Sequence, residues 1–91
     1  MELKETVDLM LSVDYKERFI SEYWQAKIRY EKLKNFCNKI EACEITGEEE
    51  PKHDCPLFLL REQQTAMGKY LKILEIRAEI EKIDLTRKVG E

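Results

Sequence analysis

Three polar side chains, Gln63, Arg77 and Glu81, fall among the apolar positions of a long helical segment in the second half of the chain. The fork of an arginine matches a phosphate or a carboxylate, and a ring such as Tyr70 or Trp24 can stack on a nucleobase. One hypothesis is therefore that Arg77 and Gln63 line a polar pocket between helices or between protomers. The alternative is an Arg77–Glu81 pair on the rim of an interface, since long side chains keep their charged ends in water.

The charge composition limits which ligands these side chains could bind. The 91 residues include 16 Lys or Arg and 19 Asp or Glu, for a net charge of −3. An anionic ligand would need cations that converge locally, and Arg77, Arg29 and Lys69 are the candidates. Lys and Arg alternate with Glu along both helical segments, which disfavours binding to duplex nucleic acid. The predicted ligand-binding residues are Gln63, Tyr70, Arg77, Lys69, Arg29 and Trp24.

Metal binding and catalysis are both disfavoured. Cys37, Cys43, His53 and Cys55 are of types that bind zinc, but their spacing is not that of a zinc knuckle, and Cys37 belongs to an apolar seam. A Cys–His nucleophile pair would lack a third group to orient it. The chain has one histidine, three glycines, no phosphate-cradling glycine loop and no serine elbow. We therefore predict neither an enzyme, nor a metal site, nor a cofactor.

The first half of the chain predicts a short helix at residues 2–11 and a long helix at residues 15–43. Asp14 and Glu17 form a capping-box-like pair at the start of the long helix, because Asp14 can accept from free N–H groups of the first turn. No Gly or Pro interrupts this helix, and its apolar residues recur at alternating spacings of four and three. That seam is Phe19, Tyr23, Ala26, Tyr30, Leu33, Cys37 and Ile40.

The second half predicts an acidic loop at residues 44–55, a helix at residues 56–85 and a frayed tail at residues 86–91. Apolar side chains cover about half of this helix, more than the stripe of about 100° that one partner needs. One seam consists of Leu60, Met67, Leu71, Leu74, Ala78 and Leu85, and beside it lie Leu59, Ala66, Tyr70, Ile73 and Ile80.

Two long helices of equal length joined by a short loop predict an all-α antiparallel hairpin, and the 91 residues form one domain. Gly68 makes a notch into which the ring of Tyr30 can pack. The predicted facing pairs are Ile40 with Leu59, Leu33 with Ala66, Ala26 with Ile73, and Phe19 with Ile80.

Two helices bury each other on one side only. The flank of Ile20, Trp24 and Ile28 and part of the Leu59–Ile80 line are left over, and the helix at 2–11 covers only some of that surface. An apolar patch of this size exceeds the few hundred Å² usual for a monomer. We therefore predict self-association, as a dimeric four-helix bundle or a higher oligomer.

The sequence contains neither a run of 18 apolar residues nor a basic, apolar leader at its start, which predicts no membrane span and no signal peptide. Three cysteines are an odd number, which is typical of a reduced setting. These features predict a cytoplasmic protein.

Much of residues 15–85 resembles a group of small phage and prophage proteins that combine two long helices with a loop. The stretches that carry the resemblance are YKERFISEYWQAKIRYEKLKNF and HDCPLFLLREQQTAMGKYLKILEIRAEIE. The matching positions are Glu17, Arg18, Phe19, Lys27, Ile28, Leu33, Phe36, Leu59, Leu60, Gln63 or Gln64, Met67, Tyr70, Ile73, Leu74 and Arg77. Such proteins look similar to the hairpin sponge proteins with which phages sequester cyclic nucleotide signals of bacterial immunity.

The resemblance implies a non-enzymatic counter-defence protein, acting in the host cytosol, that captures a cyclic nucleotide in a pocket between protomers. Two alternatives stay open. The chain could be an inhibitor or adaptor of a bacterial defence protein, with the Ile20–Trp24–Ile28 flank as an exposed anchor. It could also be a structural coiled-coil component.

Overall fold

The computed structural model describes residues 1–86, and the regular structure within that range is helical, with a loop at residues 47–56. A short 3₁₀ turn at Leu3–Glu5 precedes α1 (Thr6–Met10), and two long helices follow, α2 (Tyr15–Thr46) and α3 (Leu57–Glu81). Contacts join the start of α2 to the end of α3 and the end of α2 to the start of α3, so the long helices run antiparallel. The predicted all-α fold with two long helices packed together is confirmed.

Helix α2 begins at the predicted capping residue and ends later than predicted. The Asp14 carboxylate accepts a hydrogen bond of 2.9 Å from the Lys16 N–H, which satisfies one free donor of the first turn. The helix continues past Cys43 because nothing breaks it before Gly47, which adopts the left-handed conformation with φ of 77°. The predicted acidic loop at residues 44–55 is therefore wrong at its start, since residues 44–46 are helical.

Helix α3 ends four residues before the predicted boundary at Leu85. Lys82 takes a left-handed conformation with φ of 60°, and the Ile83 N–H donates to the Ala78 carbonyl at 2.9 Å. This is the hydrogen bond of a Schellman turn, which reverses the chain and buries Ile83 against the core. The predicted tail at residues 86–91 lies, except for Thr86, outside the described residues.

We expect Lys82→Gly to stabilise the protein, because Lys82 is a non-glycine residue in the left-handed region. A side chain there costs about 1–2 kcal/mol, so the glycine variant should raise the thermal midpoint measured by circular dichroism. The matched control is Gly47→Ala, which places a methyl group in open space but at φ of 77° and should lower the midpoint. A Lys82→Gly variant less stable than the parent would contradict this account of the turn.

The core lies where α1, the first half of α2 and the second half of α3 meet. Its buried residues are Leu9, Phe19, Ile20, Tyr23, Leu71, Leu74, Ala78 and Ile83. Leu71, Leu74 and Ala78 belong to the first predicted seam of α3, whose burial is confirmed. Gly68 admits the Tyr30 ring as predicted, since a Cβ added at Gly68 would lie 3.3 Å from Tyr30 Cε1.

The predicted facing pairs between α2 and α3 are wrong, because α3 is rotated about its axis. Leu59, Ala66, Ile73 and Ile80 are exposed, whereas their predicted partners Phe19 and Ile40 are buried. Both apolar lines of α3 have helical spacing, and α3 turns the Leu60–Leu71–Leu74–Ala78 seam toward α2. The line of Leu59, Ala66, Ile73 and Ile80 therefore faces solvent.

The Ile20–Trp24–Ile28 flank is also not the exposed anchor that the sequence predicts. Ile20 is only 2% exposed within the core that α1 and the end of the chain help to form. Trp24 and Ile28 are half-buried, and the Trp24 indole Nε1 donates to the Leu85 carbonyl at 2.7 Å. The early end of α3 causes this difference, because it brings the chain back across α2.

One buried tyrosine joins α2 to α3 through a hydrogen bond. The Tyr23 hydroxyl donates to Glu75 Oε2 at 2.6 Å, and burial, followed by this bond, raises the pKa of Tyr23 well above its ordinary value. The raised pKa means that the bond stabilises the fold fully below about pH 10, and that this stability is lost as the pH rises above that value.

We expect Tyr23→Phe to lower the free energy of unfolding by about 1.5–3 kcal/mol at pH 7, since a hydrogen bond to a charged group is lost. The variant should also lose less stability than the parent between pH 9 and pH 11, as measured by urea unfolding at each pH. Equal alkaline losses in the two proteins would contradict the assignment.

Candidate functional site

An exposed line of apolar residues runs along α3. We name it the α3 line and define it as Leu59, Ala66, Ile73 and Ile80, which repeat every seven residues. Ile80 is 72% exposed, and Ile76 and Tyr70 beside the line are exposed as well. At 1.5 Å per residue the line is about 31 Å long. A contiguous apolar surface of this kind is a candidate contact site.

A shallow depression of about 350 Å³ lies next to this line, and we name it the α3 groove. Every lining residue comes from α3, at spacings of three and four that place them on one side of the helix. The lining is Phe58, Arg61, Glu62, Thr65, Ala66 and Lys69. Since one helix forms the whole groove, the groove has a floor but no opposite wall.

The groove combines an exposed ring with two cations and one carboxylate. The Arg61 guanidinium donates to Gln64 Oε1 at 2.7 Å and to Asn38 Oδ1 at 2.9 Å, and its Nη2 lies 3.4 Å from Glu41 Oε2. Its position is therefore fixed and its charge is paired. Lys69 has no hydrogen bond or ion pair to any of the described residues, and neither has Lys72 one turn further on. Since Arg61 is paired with Glu41, Lys69 is the uncompensated cation among the lining residues. An uncompensated ammonium group near an apolar ring fits a small anion with an aromatic part.

The predicted candidate Arg77 lies on the side of α3 that faces the start of α2. Its Nε donates to Glu81 at 3.1 Å, its Nη2 donates to the Tyr15 hydroxyl at 2.6 Å, and its guanidinium carbon lies 5.0 Å from the centre of the Phe19 ring. The Tyr15 hydroxyl in turn donates to Glu81 Oε1 at 3.0 Å, which raises the pKa of Tyr15. These contacts tie the end of α3 to the start of α2.

Tyr70 makes a similar link on the same side of the hairpin. Its hydroxyl donates to Glu22 Oε1, and this bond, more than burial, raises the pKa of Tyr70. Glu22 and Glu81 thus place negative charge beside Arg77, which opposes an anion there. Gln63 is exposed and bonds weakly to the Met67 sulfur at 3.9 Å.

The structure brings some predicted ligand residues together and separates others. Tyr70 and Arg77 share one side of the hairpin, and Lys69 faces the groove. Arg29 is exposed on α2 without a hydrogen-bond or ion-pair partner among the described residues. Trp24 packs on the core beneath the end of the chain, away from the groove. Ligand binding by these six residues stays a prediction.

Sequence analysis did not single out Phe58, Arg61 or Thr65. Together with Lys69 these residues follow spacings of three, four and four, which place a ring, a hydroxyl and two cations on one side of α3. The sequence does show this spacing, but the same spacing is common on helix faces that only contact water. Only the orientation of α3 distinguishes this side from any other.

The cysteines and the histidine form no metal site among the described residues. Cys37 and Cys43 are buried and Cys55 is exposed. His53 Nδ1 lies 2.7 Å from the Cys55 carbonyl, and this contact, more than the nearby Glu50, raises the pKa of His53. Within residues 1–86, no helix has the length and apolar character needed to cross a membrane.

Comparison with protein families identifies the group to which the chain is related. A family model described as Sequestin matches residues 13–80, about three quarters of the chain. The chain belongs to the Sequestin family. The Sequestin match includes all of α2 and nearly all of α3, and thus the α3 line and the α3 groove. The resemblance to a family of sequestering hairpin proteins is confirmed.

The Sequestin match is the finding that relates this chain to other proteins. A search of the curated proteins and a search of the solved structures each gave no match. The residues of the groove are therefore interpreted from their own chemistry.

Proposed function

We propose that the protein is a non-enzymatic binding protein of phage counter-defence that sequesters a cyclic nucleotide signal in the host cytosol. The family name and the chemistry of α3 both support a sequestering role. The observation that carries the proposal is the α3 groove, because the uncompensated Lys69 there adjoins an exposed ring and an apolar surface. A cyclic nucleotide offers phosphates to the cations and flat bases to the apolar part.

The composition of the groove supports capture rather than catalysis. Its lining contains neither a histidine nor a cysteine, and its hydroxyl, Thr65, donates to the Arg61 carbonyl at 3.0 Å. The hydroxyl proton is therefore held by a backbone carbonyl and not by the Glu62 carboxylate, the one side chain of the lining that could act as a base. We therefore expect a ligand that binds here to be released chemically unaltered.

Tyr70 and Arg77 have a supporting role in this proposal. Their bonds to Glu22, Tyr15 and Glu81 hold α3 on α2, which keeps the groove residues in fixed positions.

The alternative function is a protein-binding inhibitor or adaptor. Its predicted anchor at Ile20 is buried, so such a role would have to use the α3 line. The observation that favours this alternative is the exposure of that line.

Isothermal titration calorimetry tests the proposed function directly. We expect saturable binding of at least one ligand among cyclic di-GMP, cyclic di-AMP and a cyclic triadenylate, with an affinity that falls as salt rises, because phosphate contacts are screened. The linear mononucleotide GMP serves as the control and should bind more weakly. The absence of binding heat with all three cyclic ligands would remove the proposal and leave the protein-binding alternative.

A further inference from the structure

We propose that His53 acts as a pH-operated clasp: its charged ring holds the loop between α2 and α3 against α2, and the neutral ring releases that loop. The loop spans residues 47–56 and connects the two long helices. The His53 ring packs edge-on against the Phe36 ring of α2, with 6.2 Å between the ring centres and 87° between the ring planes. The clasp is a property of the free protein, so it goes beyond the proposed function and does not rest on it.

Both ring nitrogens of His53 face an acceptor. Nδ1 lies 2.7 Å from the Cys55 carbonyl oxygen, which can only accept, so Nδ1 carries a proton. Nε2 lies 3.6 Å from Glu50 Oε2, which is within the range of an ion pair. A neutral ring would turn the lone pair of Nε2 toward this carboxylate, whereas a charged ring turns an N–H toward it. The contacts of the closed loop are therefore those of a charged imidazolium ring.

A second carboxyl group, from α2, adds to the attraction for a charged ring. The Glu44 carboxyl is hydrogen-bonded to Glu50, and this bond raises the pKa of Glu44. Two carboxyl groups in contact repel each other once both are ionised, and a nearby cation offsets that repulsion. The contact of His53 with the Cys55 carbonyl, and then the charges of Glu50 and Glu44, raise the pKa of His53. The cation of the clasp thus lies beside one carboxyl group of the loop and one of α2.

The raised pKa of His53 sets the direction of the pH dependence. The charged ring stabilises the closed loop fully below about pH 6.5, the ordinary pKa of histidine, and this stability is lost as the pH rises through the higher pKa of the folded protein. The neutral ring then leaves Glu44 and Glu50 without their cation. Their mutual repulsion opens the loop and separates the His53 ring from the Phe36 ring.

The clasp lies at one end of the α3 groove. Glu41 of α2 also contributes to the raised pKa of Glu44, and its carboxylate lies 3.4 Å from Arg61 Nη2 in the groove lining. Phe58, another lining residue, is in the first turn of α3, directly after the loop. Opening of the loop therefore loosens the Phe58 end of the groove. The Lys69 end, about 16 Å further along the helix, stays in place.

Proton NMR follows the clasp directly, because the chain contains one histidine. We expect the His53 ring to titrate at a higher pH in the folded protein than in urea, since only the fold brings acceptors to both nitrogens. The nuclear Overhauser signal between the His53 and Phe36 rings should weaken about threefold or more from about pH 6 to about pH 8.5, as the closed population falls. Equal titration midpoints in the two states, or a ring signal unchanged over this range, would overturn the proposal.

Glu50→Gln tests whether charge closes the clasp, because the amide keeps the shape of the side chain without its charge. Glu48→Gln is the matched control, since it makes the same change in net charge at an exposed residue of the same loop. Glu50→Gln should move the His53 midpoint toward its value in urea and weaken the ring signal about twofold or more near neutral pH. Glu48→Gln should leave both as in the parent. Equal effects of the two variants, or no effect of Glu50→Gln, would overturn the proposal.

Discussion

Leu74→Ala is expected to lower the free energy of unfolding by about 2–5 kcal/mol, the range typical of a buried leucine truncated to alanine. Leu74 is 1% exposed and lies among the buried residues that join α3 to α2 and α1. A core of this size contributes only about 3–5 kcal/mol of net stability, so much of the variant should be unfolded at 25 °C. Urea unfolding followed by circular dichroism measures the change.

Ile45→Ala is the matched control for this prediction, because Ile45 is an exposed isoleucine near the end of α2. The free energy of unfolding of this variant should fall by no more than about 0.5 kcal/mol, as for most surface substitutions. If the Leu74 and Ile45 variants unfolded at the same urea concentration, the packing of α3 on α2 described above would be wrong.

Lys69→Glu is expected to weaken binding of a cyclic nucleotide by about 100-fold or more. The change replaces the uncompensated cation of the α3 groove with a carboxylate, so an attraction to the ligand phosphate becomes a repulsion. Calorimetry with the ligand bound by the parent measures the loss, and unfolding midpoints show whether the variant remains folded. Since Lys69 is exposed, we expect its fold to be unaffected.

Lys39→Glu is the control with the same change in net charge. Lys39 is exposed on α2, two residues after the buried Cys37 and thus on the opposite side of the helix. The Lys39→Glu variant should bind the nucleotide as tightly as the parent does. Equal losses in the Lys39 and Lys69 variants would mean that overall charge, and not the groove, governs affinity.

Local signals in the sequence predicted much of the hairpin. Asp14 is a capping residue because its short carboxylate reaches the free N–H groups of the first turn, and this chemistry requires no tertiary context. The contact of Tyr30 with Gly68 was predicted by aligning the two helices as an antiparallel pair of equal length. The burial of Leu71 and Leu74 followed from the spacing of the seam.

The rotation of α3 could not be predicted in the same way. Both the Leu74 seam and the Ile73 line are apolar with helical spacing, so periodicity alone does not say which of them faces α2. The end of α3 at Lys82 has no Gly or Pro nearby, so the sequence gives no signal that the helix stops there. The turn at Lys82 also explains why Ile20 is buried, because the chain that returns after this turn helps to cover the Ile20–Trp24–Ile28 flank.

The candidate site was predicted only at Lys69. Arg77 and Tyr70 stood out because they are polar groups in an apolar arc, and the structure shows that their polar atoms bond to Glu81 and Glu22. Arg61 and Phe58 did not stand out, since a cation and a ring on a helix surface are ordinary until the orientation of the helix is known.

The central claim is that the protein holds a cyclic nucleotide and releases it unchanged. The most direct measurement is to saturate the protein with cyclic di-GMP or cyclic di-AMP, remove free ligand, denature the protein by heat and quantify the released compound by chromatography. The account predicts that the intact cyclic nucleotide is recovered in a fixed ratio to the chain. Recovery of a linear or otherwise altered nucleotide would reveal an enzyme, and recovery of none would show that the protein does not retain such ligands; either result would contradict the claim.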